Sequence, residues 1–380
     1  MERFFEFFPY GRVYPDIFHT SGSVVHQAWE EICLVRHRRP SPSGAPANAA
    51  LSYTAPLVDQ ARSYFLTAVG SEWRSAGVVY YYSFLNLAKA LLGIKGVLTL
   101  DHLRNTPLNH GLSAVSQSSP DLMDFEFLIH PPRNAGGEPH NVFALLYEEI
   151  AGQRWPFSSA ISVTLGQITG YCVDIGTALS AMYEHNPRAI PVESLGRRDG
   201  SNVWFEMLVP SGFEAQIVGD LPLKPNVIPA QNVDTDTKSA WFTAYHIPDF
   251  AFNGDKILLQ FDKVAIDGAT YQQAKQNVMK QMDKAFNGKV EVLVYDDDHR
   301  WIYVQGWRHL GETLPWHPLL SDYLFAFVLG TVVRYQPFLV VPGEKSFALG
   351  ESWCRQSPIT VLRYFLMRFA DKPMRIKSVG

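Results

Sequence analysis

The stretch YYYSFLNLAKALLG, residues 80–93, decides how the rest of the chain is read. It is apolar on almost every side, which marks a helix buried in a core rather than laid on a surface. Ser71 and Glu72 supply polar groups suited to its start, and the helix is expected to run to Leu92 and stop at Gly93. Just upstream, 53–69 places Leu57, Ala61, Tyr64, Phe65 and Ala68 on one helical face. Two consecutive helices with a short link predict an antiparallel hairpin. Two polar residues interrupt the buried helix. At 100° per residue, Tyr82, Asn86, Lys89 and Gly93 form one stripe. In one reading the stripe is a rim, with Lys89 reaching water and Asn86 bonding a neighbouring segment. In the other, Asn86 and Lys89 line a pocket opposite His110. An asparagine within a buried helix also sets the register between helices, so Asn86 reads as an architectural hydrogen-bonder and Lys89 as the better site candidate.

Working outward, 20–35 reads as a short helix, and RHRRPSPSGAPANAA (36–50) as a basic cluster leading into a linker. After the hairpin, glycine, proline and asparagine predict a loop ending near His110. Residues 121–150 are mixed, with a Gly/Pro loop at 131–139, and 161–185 becomes helical in its later half. From about 199 the texture turns to β: SNVWFEMLVPSG, KILLQFDKV and KVEVLVYDDDHRWIYVQGW, the last patterned as a hairpin around DDDH. An amphipathic helix is expected over 270–288, closed by Asn287-Gly288. Helices return at 319–335 and 357–371. The expected organisation is an N-terminal helix and linker (1–49), a helical region (50–198), a β-rich module (199–310) and C-terminal helices that pack on the helical region (311–380). The fold class is α+β, mostly helical.

Composition narrows the function classes. The chain of 380 residues carries a formal net charge of −4, is 47% hydrophobic and is 13% aromatic. Bulk charge does not mark a nucleic-acid binder, although a local basic patch remains compatible with it. Cys33, Cys172 and Cys354 are far apart, which disfavours a disulfide framework or zinc site and fits a reducing cytoplasm. The N-terminus lacks the pattern of a secretory signal, and YLFAFVLGTVV (323–333) is too short to span a bilayer before Arg334. A cytoplasmic protein without a membrane span is expected. The chain contains no phosphate-binding glycine loop, dinucleotide fingerprint or nucleophile elbow. Neither YDDDHRW (295–301) nor His309, Glu312 and His317 has the spacing of a metal site, so no metal or cofactor is expected. Arg334 closes an apolar helix beside Tyr335. A cation at a helix C-terminus is favourable by itself, but a buried one needs an anionic partner. Asp322 on the same helix lies three turns away and cannot supply it.

VVYYYSFLNLAKALL followed by NHGLS, and the closing LLSDYLFAFVLGTVVRYQP, resemble the YaaC-like family of bacterial proteins, over roughly 50–130 and 315–370. The Tyr-Tyr helix running into AKALL, then a loop with His-Gly, is also similar to the helical core of HEPN domains. These are bundles found in prokaryotic toxins, antiviral effectors and nucleotidyltransferase partners. That resemblance implies a role in antiviral defence or a toxin–antitoxin system. It also implies metal-independent ribonuclease chemistry on an Arg-x(4–6)-His motif, usually paired across a dimer. RNTPLNH places Arg104, Asn105 and His110 at that spacing. Histidine would move the proton of a ribose hydroxyl, and arginine would stabilise the phosphorane. The same spacing recurs at Arg12…His19 and Arg133…His140, and Pro107 bars a regular helix through the motif. Two functions follow. One is an interaction or scaffold protein, a homodimer or partner-binder through its aromatic-rich helices. The other is a ribonuclease using Arg104 and His110, with Lys89 and Arg334 binding phosphate and RNA as the ligand.

Overall fold

The computed structural model describes residues 18–20, 29–30, 32–33, 47–105, 108–115, 121–199, 202–245, 255–265, 284, 290–294, 299–305, 314, 316–370 and 376–378. In chain order come helices α1 (Ala47–Val69), α2 (Trp73–Ile94) and α3 (Leu100–Asn105), then strands β1 (Leu112–Ala114) and β2 (Glu126–Ile129). Next are α4 (Val142–Ala151), β3 (Ile161–Thr164), α5 (Leu165–Thr169) and α6 (Gly176–Tyr183). Strands β4 (Ala189–Asp199) and β5 (Asn202–Pro210), α7 (Glu214–Asp220), β6 (Asn226–Pro229) and α8 (Thr235–Tyr245) follow. After them come β7 (Lys256–Gln260), β8 (Val264–Ala265), β9 (Val290–Val294) and β10 (His299–Val304). Helices α9 (Pro318–Tyr335) and α10 (Lys345–Ala370) close the series. The protein is α+β, with ten α-helices among the described residues and antiparallel sheets. It divides into two compact units. A helical unit holds 21–187 with 316–374, and a β-rich unit holds 188–315 with both chain ends.

In the helical unit α2 is the central element, buried along nearly its whole length. The Glu72 side chain caps it by accepting from Arg74 N–H. Three members of the polar stripe of α2, Tyr82, Asn86 and Gly93, face α1. Tyr82 meets Tyr64 with ring centroids 6.2 Å apart, and Asn86 Nδ2 donates to Gln60 Oε1 at 3.0 Å. Gly93 does not end the helix as expected, for α2 continues to Ile94. A Cβ at Gly93 would sit 2.7 Å from Thr54 Cγ2, so this glycine permits the close approach of α1. On the other side of α2, a Cβ at Gly330 would lie 3.2 Å from Val78 Cα, and this brings α9 against α2.

Two helices start earlier than expected. α1 begins at Ala47, inside the stretch read as linker, because ANAALS is a good helix-forming run despite the prolines before it. α10 begins at Lys345 rather than 357, with Gly350 and Pro358 inside it disguising the pattern. A Cβ at Gly350 would lie 2.7 Å from Trp73 Cζ3, so this glycine too makes room for a large neighbour. Between α2 and β1, where only loop was expected, the six-residue α3 forms. Strands β1, β2 and β3 make a small antiparallel sheet within the same unit.

Asp322 is fully buried on α9. Its Oδ1 accepts from Trp353 Nε1 at 2.8 Å. Burial, and after it the charge of Asp174, hold this carboxyl well above the usual carboxylate range. The native state therefore keeps a proton that the unfolded chain releases near pH 4, and stability must fall as pH rises above that point. The slope is about 1.4 kcal/mol per pH unit until the buried group ionises. Asp322→Asn keeps an acceptor for Trp353 and removes the titration. In urea unfolding, the variant is expected to match the parent near pH 4 and exceed it at pH 7. A parallel pH dependence in both proteins would contradict this.

The β-rich unit is built on a sheet of order β9-β10-β4-β5-β7-β6, antiparallel throughout, with β8 also pairing to β5. β4 starts ten residues before the expected change at 199. Its first part pairs with β10 and its second with β5, and Pro191 inside it obscures the strand signal. Val203, Phe205, Met207 and Val209 of β5 pack with Ile217 of α7 on one face. Leu208, Leu195 and Leu258 pack with Trp241 of α8 on the other. The hairpin expected at 290–304 is β9–β10. The helix expected over 270–288 and the acidic turn 295–298 lie outside the described residues. Residues 18–20 and 376–378 pair in parallel.

Candidate functional site

The helical unit collects four basic side chains from four separate segments. Lys89 comes from α2, His110 from the loop before β1, His130 from the end of β2 and Arg334 from the last turn of α9. Lys89, His110 and His130 are half-buried, and Arg334 is exposed. The loop that carries His110 is held on several sides. Its carbonyl accepts from Phe143 N–H at 3.2 Å, and Asn109 N–H donates to the His140 carbonyl at 2.9 Å. Gly111 then turns the chain with φ +83°, where a Cβ would lie 2.8 Å from the Asn141 side chain. His130 N–H donates back to the Gly111 carbonyl at 2.9 Å. Both histidines are thereby fixed by backbone bonds.

His110 packs edge-on against the buried ring of Tyr81, with centroids 6.2 Å apart, and lies 5.8 Å from Phe327. Its Nδ1 accepts from Leu112 N–H at 3.1 Å, which leaves the proton of the neutral ring on Nε2. His130 Nε2 bonds Ser113 Oγ at 2.9 Å. Arg334 Nε donates to the Gly330 carbonyl at 2.7 Å, and its guanidinium sits 5.0 Å from the Tyr335 ring centroid. Burial lowers the pKa of His110, and the positive charges of Lys89, His130 and Arg334 lower it further. Burial likewise lowers Lys89. The same guanidinium acts on the Tyr81 hydroxyl, whose pKa burial holds well above the usual phenol range. Among the described residues no carboxylate forms an ion pair with Lys89 or Arg334. The result is a cluster of basic groups in which, among the described residues, Lys89 and Arg334 have no ion-paired carboxylate.

The expected site residues divide as follows. Lys89 and Arg334 each act electrostatically on His110. Asn86 instead bonds Gln60 on α1 and is 8% exposed, which gives it the helix-joining geometry. Arg104 is exposed near the end of α3, and the charges acting on His110 come from Lys89, His130 and Arg334 instead. The side chain of Asn105 and all of Pro107 lie outside the described residues. The repeated spacing at Arg133…His140 is occupied structurally. Arg133 makes a two-pronged pair with Glu148 at 2.9 and 2.6 Å, and His140 Nε2 meets Asn109 Nδ2 at 2.9 Å. His317 caps α9 by accepting from Leu319 N–H at 3.0 Å, while His309 and Glu312 lie outside the described residues. His130 and Ser113 were not legible in advance, since LIHPP carries no motif that would single out its histidine. No group of three or more metal-ligating side chains occurs among the described residues. One described helix, Trp73–Ile94, is long and apolar enough to cross a membrane, and it is mostly buried inside the protein.

The fold and site define an α+β protein whose helical unit brings Lys89, His130 and Arg334 within electrostatic reach of the half-buried His110. The model of the family described as YaaC-like Protein matches residues 19–341, and the chain belongs to that family. No curated protein and no solved structure matches it.

Proposed function

We propose that this chain is an interaction protein that engages a phosphate-bearing partner at the recess formed by Lys89, His110, His130 and Arg334. The carrying observation is the convergence of these four groups with no carboxylate paired to either Lys89 or Arg334 among the described residues. Positive charges gathered around a half-buried histidine raise the free energy of its protonated form, and a bound anion relieves that cost. The Tyr-Tyr helix and the His-Gly loop support a HEPN-like bundle and, through that resemblance alone, a role in bacterial antiviral defence or a toxin system. The aromatic-rich helices support a homodimer or a protein partner, and the reduced cysteines support a cytoplasmic location.

Inorganic pyrophosphate titrated into the full chain tests the recess. Lys89→Gln is expected to weaken binding about 10- to 100-fold, the loss that goes with one charge-assisted hydrogen bond. His110 is neutral more readily than an ordinary histidine, and a bound anion favours its protonated form. Pyrophosphate itself gains protons over this range, so the His110 contribution is read as the affinity of the parent relative to His110→Ala, and that ratio rises as pH falls from 8 to 5.5. Affinity that is unchanged in Lys89→Gln, with that ratio flat with pH, would remove the site.

The second reading is the metal-independent ribonuclease. It is favoured by His110 Nε2–H standing among cations that could steady a phosphorane. RNA cleavage that survives EDTA and disappears in both His110→Ala and Arg104→Ala would establish it. Cleavage lost only in His110→Ala would transfer the cation's role to Lys89 or Arg334. No cleavage by a folded sample that binds pyrophosphate leaves the interaction reading.

A further inference from the structure

We infer that the phosphate taken at this recess belongs to a nucleotide, and that Tyr335 carries its base. The inference rests on the anion-binding reading above and adds the chemistry of the rest of the ligand. α9 ends in Arg334 and Tyr335 side by side. The guanidinium that acts on His110 and Tyr81 is the one that lies over the Tyr335 ring. That ring is 69% exposed, and Phe338, three residues on, is 62% exposed. Tyr82 is 40% exposed and lies 5.6 Å, ring to ring, from Tyr81, whose own ring packs on His110. An exposed ring thus sits directly beside Arg334, and the exposed Tyr82 adjoins the ring that packs on His110.

A bare inorganic anion uses only the charges. An acidic peptide would satisfy the charges but has no use for a flat exposed ring beside them. A phosphate ester of an aromatic base uses both. Its phosphate meets Lys89, Arg334 and the histidines, while the base lies on a ring that is already polarised by a guanidinium. Tyr335 belongs to the last turn of α9 and its side chain faces solvent, so replacing it leaves the helix packing intact.

The test is calorimetry on the full chain with three probes: inorganic pyrophosphate, a nucleoside diphosphate and a short single-stranded oligonucleotide. The parent is compared with Tyr335→Ala, Tyr335→Phe and Lys89→Gln. The nucleoside diphosphate is expected to bind about 5- to 100-fold more tightly than pyrophosphate, the range of one base–aromatic stack. Tyr335→Ala should erase that margin and leave pyrophosphate affinity unchanged, Tyr335→Phe should keep it, and Lys89→Gln should weaken all three probes. An oligonucleotide that binds more tightly than the diphosphate identifies a strand as the source, and equal binding identifies a free nucleotide. The inference is overturned if the diphosphate binds no better than pyrophosphate, or if Tyr335→Ala lowers both equally or neither. If pyrophosphate also fails to bind, the anion-binding reading itself falls.

Discussion

Replacing Glu206 with alanine is expected to cost the β-rich unit about 3–5 kcal/mol, the loss found when one partner of a buried ion pair is removed. Glu206 is fully buried in the middle of β5. Its Oε1 accepts from Arg197 Nη1 at 3.1 Å, Trp204 Nε1 at 2.8 Å and Gln260 Nε2 at 2.9 Å. Its Oε2 accepts from Trp241 Nε1 at 2.9 Å. One carboxylate therefore ties β5 to β4, β7 and α8. Arg197 also donates to Thr237 at 2.7 Å and stacks 5.0 Å from the Trp204 ring. Truncating Glu206 takes the buried ion-pair partner from Arg197 and leaves two indole N–H groups without this acceptor, at a buried position. Urea unfolding followed by tryptophan fluorescence should show a large drop in midpoint. Removing both charges, as in Glu206→Leu with Arg197→Met, should cost less than the single change, because no charge is then stranded. A single variant that unfolds within about 1 kcal/mol of the parent would show that the network is solvated.

Trp353→Ala is the second large effect, about 3–5 kcal/mol in the helical unit. Trp353 is fully buried on α10. Its ring stacks on Phe325 of α9 at 5.3 Å and meets Tyr80 and Phe84 of α2 edge-on at 6.3 and 6.4 Å. Its Nε1 bonds the buried Asp322 carboxyl. Three helices converge on this side chain, and alanine would leave a cavity that none of them can close alone. Trp353→Phe keeps much of the ring contact and removes the hydrogen bond together with a small part of the packing, so its expected cost is smaller, about 1–3 kcal/mol. The ordering alanine worse than phenylalanine, and phenylalanine worse than parent, is the outcome to check by thermal or urea unfolding. Equal costs for the two variants would mean that the hydrogen bond, and not the packing, holds the helices.

The same two regions show what was readable from residues and what was not. NVWFEMLVP reads as strand because its residues are β-branched, aromatic or apolar, and the glutamate in its centre gives no hint of its partners. Gln260 lies directly across the ladder from Glu206, but Trp241 reaches it from a helix on the sheet face. Similarly, the apolar periodicity of 80–93 predicts a buried helix. Whether Asn86 lines a pocket or joins helices depends on which neighbour lies against it, and that neighbour is Gln60.

The sequence by itself determined the α+β class, the central helix hairpin, the run of strands beyond 199 and the buried C-terminal helices, because periodicity and turn residues act within a few residues of themselves. It also singled out Lys89 and His110 as facing each other across a pocket, and Arg334 separately as a cation in need of an anion if buried. Only the tertiary structure put Arg334 and His130, with Lys89, within electrostatic reach of His110 and left Arg104 apart from the charges acting on it. The physical reason is that their meeting depends on how closely distant elements approach. Gly330 lets α9 lie against Val78 of α2, and the left-handed turn at Gly111 sets the His110 loop beside β2. A missing Cβ is visible in a sequence only as a glycine, and the helix or side chain that needs the vacated space comes from far along the chain.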